Sequence, residues 1–220
     1  MKTTTFGDVL NQAAELAQRT RDKIPISEQI MLQGFLATEF GMLVTAQCWP
    51  ELIPDFLNVV NITNNQFPID ENSADPTVPE IGDILAILSQ NPHVTDHWRH
   101  VAYSVGDDVI YLEDSCASVW VEYMLPYPGA TFPDLAPGVM TLPNFLAATL
   151  PRRWRNLLAH KTAAHLYGAD NNAAAAGVQF GLANAALGAE LMRLPPVPAW
   201  RGCHMPLPKR RHYGSPVMWF

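Results

Sequence analysis

The positions of the 19 prolines constrain the fold more than any other feature of this sequence. Proline removes a backbone donor and breaks the interior of a helix, so a proline-rich stretch excludes long helices. Two stretches are affected, the middle third of the chain and residues 195–220. The prolines of the middle third are Pro50, Pro54, Pro68, Pro76, Pro79 and Pro92. Helices are therefore expected only before the middle third and between about residues 142 and 194.

The N-terminal part predicts two helices separated by Pro25. Residues 5–21 carry apolar side chains at helical spacing, and Thr5 is a suitable N-cap. The second helix is expected to run from a Ser27 cap to about Gln47. Its apolar residues occupy more than one side, which is typical of a helix packed between neighbours.

The middle third predicts a small, mostly antiparallel β module. Its short apolar runs are bounded by turn residues, and Gly106-Asp107 is a hairpin signal. Residues 119–124 alternate as a half-buried strand would. The run Ile81–Leu88 is compatible with either a strand or a helix. The runs are residues 57–62, 81–88, 101–105, 109–112 and 119–124.

A second helical region is expected to open at Leu142-Pro143. Pro151 suits the first position of a further helix, and Gly168 is expected to end it. Asp170 or Asn171 is the expected cap of an alanine-rich last helix.

The last helix carries an apolar stripe, here called the last-helix stripe. Its members are Val178, Leu182, Ala185, Ala189 and Met192. Small residues at Gly177, Gly181 and Gly188 permit close approach of a neighbouring backbone. Two interpretations remain open: a plain core helix, or a helix that packs against another subunit.

Together these elements predict an α+β fold. It consists of a helical bundle, with two N-terminal and two to three C-terminal helices, a central small antiparallel β module, and an extended C-terminal arm. The expected boundaries are a folded domain over residues 1–194 and an arm over residues 195–220. Within the domain, the helices span 5–47 and 142–194, and the β module spans about 50–126.

Charge is low and unevenly distributed. Charged residues make up 16% of the chain, which is low for a soluble protein and favours surface hidden against other subunits. The net charge is −7, yet the last 20 residues hold four bases and no acid, which leaves −11 on the other 200. An acidic body disfavours tight wrapping of nucleic acid. A basic end on such a body suggests an acidic partner surface.

Residues 195–220 combine six prolines with several aromatic side chains. A disordered tail is one interpretation, but disordered tails are usually poor in aromatic residues. We favour a docking arm whose aromatic and basic side chains anchor in a partner. The expected anchors are Trp200, Arg201, Lys209, Arg210, Arg211, Tyr213, Trp219 and Phe220.

Catalytic and metal-binding patterns are weak. His93, His97 and His100 would share one face of a helix, but no fourth ligand has a motif position, so surface or interface histidines are the preferred interpretation. Known nucleophile, phosphate-loop and dinucleotide motifs are absent from the sequence. We therefore expect no enzyme, no catalytic residue, no metal and no cofactor.

The cysteines and the hydropathy pattern bear on location. Cys48, Cys116 and Cys203 lie far apart without a paired motif, which favours reduced thiols in the cytoplasm. The first residues predict no signal peptide, and the most apolar stretch, 173–194, holds polar residues, so no membrane span is expected.

Arg152, Arg153 and Arg155 form the only basic cluster of the acidic body. At the start of a helix their charges oppose the helix dipole, so a compensating partner is expected. Contact with nucleic acid phosphate and contact with an acidic neighbouring subunit both remain open. We favour the subunit contact.

The order of these parts resembles the head-to-tail adaptor (connector) proteins of tailed bacteriophages. The similarity covers about residues 5–194. It consists of a V-W-x-E-Y strand, a proline-rich loop, an L-P-x-F helix start, a Leu-Tyr-Gly turn and a final alanine-rich helix. The matching residues are Val119, Trp120, Glu122, Tyr123, Pro126, Pro128, Leu142, Pro143, Phe145, Leu166, Tyr167 and Gly168.

The resemblance implies a structural virion protein in the neck, assembled in the host cytoplasm. It implies a homo-oligomeric ring, with twelve copies expected, that binds the portal protein and a downstream tail or nozzle protein. Double-stranded DNA would pass transiently through the lumen, whose acidic lining would prevent sticking. The glycines at 177, 181 and 188 and the three arginines would then lie at subunit interfaces, and the arm would dock on the portal.

Three other classes remain as alternatives, one of which is a scaffold or binding module of cellular origin. A stopper or tail terminator of the same neck would share the composition but would be mainly β. A metal-dependent enzyme would require the three histidines to bind metal.

Overall fold

The computed structural model describes residues 2–46, 49–68, 81–106, 109–129, 132–196 and 198. These residues form an α+β protein, as the sequence predicts, with five α-helices and small antiparallel sheets among them. The helices are α1 (Phe6–Leu16), α2 (Ile26–Ala46), α3 (Leu142–Ala147), α4 (Arg155–Ala169) and α5 (Ala173–Leu191). The strands are β1 (Thr3–Thr5), β2 (Leu57–Val60), β3 (Gln66–Pro68), β4 (Ile84–Leu88), β5 (Tyr103–Val105), β6 (Val109–Leu112), β7 (Ser118–Tyr123) and β8 (Thr149–Pro151).

The elements group into two compact units. A helical unit comprises residues up to Glu51 together with Tyr127–Pro195, and a β unit begins at Leu52 and runs to Pro126. The helical unit is therefore built from two separate stretches of sequence. All five helices and the β1–β8 pair belong to it.

The N-terminus of α1 is fixed by a reciprocal cap. The Asp8 backbone N–H donates to Thr5 Oγ1 at 3.1 Å, and the Thr5 backbone N–H donates to Asp8 Oδ2 at 3.0 Å. This capping box satisfies two of the free donors of the first turn, which confirms Thr5 as the cap. The helix ends at Leu16 rather than 21, and Gln18 then adopts a left-handed φ of 57°.

Helix α2 differs from its prediction at its start and on its outer side. It begins at Ile26, so Ser27 lies inside the first turn and does not cap it. Its inner residues Leu36 and Phe40 are buried, but Ile30 and Met31 are exposed. The described residues of one chain therefore do not cover α2 on all its apolar sides, contrary to the predicted sandwiched helix.

Aromatic side chains fill the core of the helical unit. Phe40 packs edge-on against Phe6 and Trp154, with ring centroids 5.3 and 5.5 Å apart. Trp49 packs against Trp154 at 5.3 Å, and its Nε1–H donates to the Leu43 carbonyl at 2.7 Å. The buried Gln33 amide donates to two loop carbonyls, at Leu135 and Met140, each at 2.9 Å. This amide satisfies loop carbonyls inside the core.

The described part of the β unit contains two antiparallel three-stranded sheets, ordered β2-β7-β4 and β3-β6-β5. Residues 84–88 form strand β4, which resolves the strand-or-helix ambiguity. Val119, Val121 and Tyr123 of β7 are buried, as the alternation predicts. Glu122, at 3% exposure, and Met124 are buried as well, so β7 is not half-buried. Strand β7 lies in the middle of its sheet and is covered on both faces over its second half.

The C-terminal helices correct three predicted boundaries. Pro151 ends β8, and a 3₁₀ turn over Arg152–Trp154 separates it from the start of α4. Gly168 lies inside α4, which ends at Ala169. The cap of α5 is Asn172, whose Oδ1 accepts from the Ala175 N–H at 3.1 Å, while Asn171 takes a left-handed φ of 57°. The predicted opening at Leu142 is confirmed by α3.

Candidate subunit interface

Few side chains of helix α5 are buried. Only Ala176 and Ala183 are buried among its 19 residues, and they lie on the side that packs along α4. The last-helix stripe points elsewhere: Val178 is 62% exposed, Leu182 45% and Met192 90%. The interpretation of α5 as a plain core helix is therefore wrong for this stripe in the described residues.

The reason lies in side-chain size. The buried residues of α4 include Ala159, Ala163 and Ala164, and those of α5 are alanines too. Small side chains let two helices pack at short distance. The alanine faces of α4 and α5 therefore pack against each other, and the Val178/Leu182 side of α5 points outward. A polar contact also joins the two helices, because His160 Nδ1 lies 2.7 Å from Gln179 Oε1. Apolar spacing alone does not tell which stripe of such a helix is covered.

The three glycines of α5 face open space. A Cβ added at Gly177, Gly181 or Gly188 would meet no atom of the described structure within 4 Å. These positions are therefore not required for the contact between α4 and α5. A backbone that packs closely against these glycines would have to come from outside the described residues.

A groove opens on another side of α5, between α2, α4 and α5. It has a cavity volume of about 210 Å³. Buried Leu43, Leu157 and Leu158 form its floor, whereas Met42, Leu187 and Leu191 form its more exposed walls. At its edge Lys161 Nζ of α4 donates to Glu39 Oε2 of α2. This groove was not predicted from the sequence, in which the wide apolar face of α2 was its only signal.

The three arginines of the predicted basic cluster, Arg152, Arg153 and Arg155, have different environments in the structure. Arg153 Nε lies 2.9 Å from Glu51 Oε1, a buried carboxylate of the same chain that the sequence analysis did not name as a partner. Arg152 is exposed. Arg155 Nε is buried and has no hydrogen-bond partner among the described residues, and Arg155 helps to lower the pKa of Asp8, after the larger effect of the hydrogen bonds from Thr5.

His93 lies in a turn, His97 in an irregular segment and His100 in an isolated β-bridge, so the three histidines do not share a helix. His93 packs edge-on against Phe56, with centroids 5.4 Å apart, and His100 against Trp98 at 5.6 Å. Within the described ranges, no three or more His, Cys, Asp or Glu residues are placed to bind a metal ion. Cys116 is a half-buried free thiol.

Two further predictions concern the C-terminal arm and membrane-spanning helices. All eight predicted arm residues, Trp200 to Phe220, lie outside the described residues. Among the helices that are described, none is both long enough and apolar enough to cross a membrane.

The described residues thus define an α+β protein with an uncovered apolar helix face and an apolar groove. A scan against protein-family models found no match to this chain. A search of curated proteins found no match either.

Proposed function

We propose that this chain is a head-to-tail adaptor of a tailed bacteriophage, a structural virion protein that forms a ring below the portal. The ring extends the DNA channel and provides the platform on which a tail or nozzle protein docks. The order of sequence motifs supports the family. The α+β architecture with five helices favours an adaptor over the mainly β alternatives.

One structural observation carries the oligomeric part of the proposal. The described residues leave one apolar face of helix α5 exposed over most of its length, and Glu190 is the only ionisable residue of this helix. Uncovered apolar surface on an otherwise folded protein marks an interaction site. A closed ring covers such a face on every copy, because each subunit uses one surface to bind the next.

The proposal is tested by the assembly state and location of the protein. Electron microscopy of virions should place this polypeptide as a ring at the capsid vertex, and native mass spectrometry of the purified protein should give one cyclic species. In the Leu182→Arg variant a desolvated charge would oppose the contact, so the ring should dissociate at least tenfold more readily. Val94→Arg, at an exposed valine of the β unit, is the matched control.

Two results contradict the proposal. A polypeptide that stays monomeric at high concentration, with its α5 face open, would not be a ring protein. A polypeptide found elsewhere in the particle, or not in particles at all, would not be an adaptor.

A further inference from the structure

The α2–α4–α5 groove and the last-helix stripe lie on different sides of α5. From Val178 to Leu187 there are nine residues, about two and a half helical turns, so these side chains point in nearly opposite directions. Leu187 and Leu191 wall the groove, whereas Val178 and Leu182 are exposed away from it. One molecule therefore presents an apolar projection and an apolar recess that cannot meet within the same chain.

The two surfaces agree in chemistry. The ionisable side chains at the groove, Glu39 and Lys161, pair with each other, so the groove offers no free charge to an ionic ligand. The stripe carries no charge either. An apolar occupant fits this groove better than a phosphate, a nucleotide or a charged peptide.

They also agree in size. Val178 and Leu182 are the two large aliphatic side chains at the N-terminal end of the stripe, and as i and i+4 neighbours they lie about 5–6 Å apart. A cavity of about 150 Å³ accommodates a benzene ring, which has six carbons. The groove, at about 210 Å³, has room for the seven side-chain carbons of one valine and one leucine.

From this geometry we infer that Val178 and Leu182 of one copy insert into the α2–α4–α5 groove of the next copy. The contact joins two different surfaces, so it propagates from copy to copy and closes only as a ring or extends as a filament. The inference rests on the proposed ring and assigns the lateral contact within it. The matching pair across the contact is Leu182 of one copy and Met42 of its neighbour.

Cysteine cross-linking in a Cys48→Ser/Cys116→Ser/Cys203→Ser background tests the pair, with thermal melting as the check on folding. A mixture of the Leu182→Cys and Met42→Cys variants should give a cross-linked dimer with a short bis-maleimide. The double variant should give a ladder of dimers, trimers and larger species, at least tenfold more abundant than with Val94→Cys in place of Met42→Cys. Neither single variant alone should cross-link efficiently.

Three outcomes overturn the inference. A Leu182→Cys variant that links to itself, with no ladder beyond dimers, would mean a symmetric contact through the stripe. In a second background, which keeps Cys203 and replaces only Cys48 and Cys116, a Met42→Cys variant that links to Cys203 within one chain would mean that the arm occupies the groove. A correctly folded double variant that gives no ladder at high concentration would mean that the two surfaces do not meet.

These results are distinguishable from failure of the proposed function. Rings at the virion vertex without the ladder would leave the adaptor function standing and remove this contact. A ladder without rings at the vertex would do the reverse.

Discussion

Single residues at the N-terminus of α1 illustrate how local chemistry fixes a boundary. The Thr5 and Asp8 side chains each bond the other's backbone N–H, and Thr4 Oγ1 donates to Asp8 Oδ2 at 3.1 Å. Hydrogen bonds from the Thr5 backbone, then from the Thr5 side chain, lower the pKa of the Asp8 carboxyl below 3.8. These bonds favour the charged form, so they link the helix cap to pH.

We predict an acid-dependent contribution of Asp8 to stability. Because its pKa is lower in the folded state, its stabilisation is complete above 3.8 and is lost as the pH falls through the lower native value. The Asp8→Asn variant should lack this pH dependence and cost about 0.5 kcal/mol near pH 7, since solvent still screens this half-buried carboxyl. Urea unfolding between pH 2 and 7 measures both.

The control for this prediction is Asp22→Asn, which makes the same change of formal charge at an exposed position of the neighbouring 3₁₀ turn. Equal pH profiles for the wild type and the Asp8→Asn variant would contradict the assignment.

At the scale of elements, the space around a helical glycine shows whether that face of the helix is covered by neighbouring atoms. A Cβ at Gly7 of α1 would lie 2.9 Å from the Leu146 carbonyl oxygen, a backbone atom that cannot move aside cheaply. A Cβ at Gly181 of α5 would meet nothing within 4 Å. The same substitution should therefore act in opposite directions at the two sites.

We predict that Gly7→Ala lowers the free energy of unfolding by roughly 1–3 kcal/mol, because it overpacks a close contact. Gly181→Ala should raise it by about 0.5–1 kcal/mol, because alanine is the better helix former. Urea unfolding at low protein concentration, where subunits separate, compares the two. A destabilising Gly181→Ala would mean that something in the same chain covers this face of α5.

The sequence predicted elements better than the sides on which they pack. The strand at 109–112 follows from a β-branched run and turn residues, and α3 follows from Leu142-Pro143, because these signals are local. Residues 84–88 stayed ambiguous between strand and helix until the structure showed a strand. The burial of Glu122 did not follow from the sequence, since it depends on where β7 lies in its sheet.

The candidate interface shows the same limit. The sequence identified the glycines and the stripe of α5 but could not decide whether the stripe was core or surface. Every side of this helix carries alanine or larger apolar residues, so the choice depended on what α4 presented. The groove was not predictable, because its walls come from residues 42, 187 and 191, which are distant in sequence.

At the scale of the whole molecule, the arm and the ring are separate parts of the proposal. The arm's aromatic and basic anchors lie beyond Pro198, outside the described residues, while the α5 face lies in the helical unit. Several weak arms acting together in a ring would give strong binding through avidity.

We predict that deletion of residues 196–220 leaves the domain folded and the ring intact but abolishes binding to the portal. Circular dichroism and native mass spectrometry should match the full chain, while co-sedimentation with portal rings should be lost. The Arg210→Glu/Arg211→Glu variant keeps the length of the arm and reverses two of its charges. It should weaken binding to the portal only partially. Unchanged co-sedimentation of the truncated protein would refute the docking role.

The division of the helical unit between two stretches of sequence affects how the chain emerges from the ribosome. Helix α2 ends at Ala46, and α4, which packs against α1 and α2, begins only at Arg155. At a translation rate of roughly 5–20 residues per second, that gap lasts about 5–20 s. During that interval the apolar sides of the nascent α1 and α2 have no α4 to pack against, so we expect chaperone binding to matter most at this stage of synthesis.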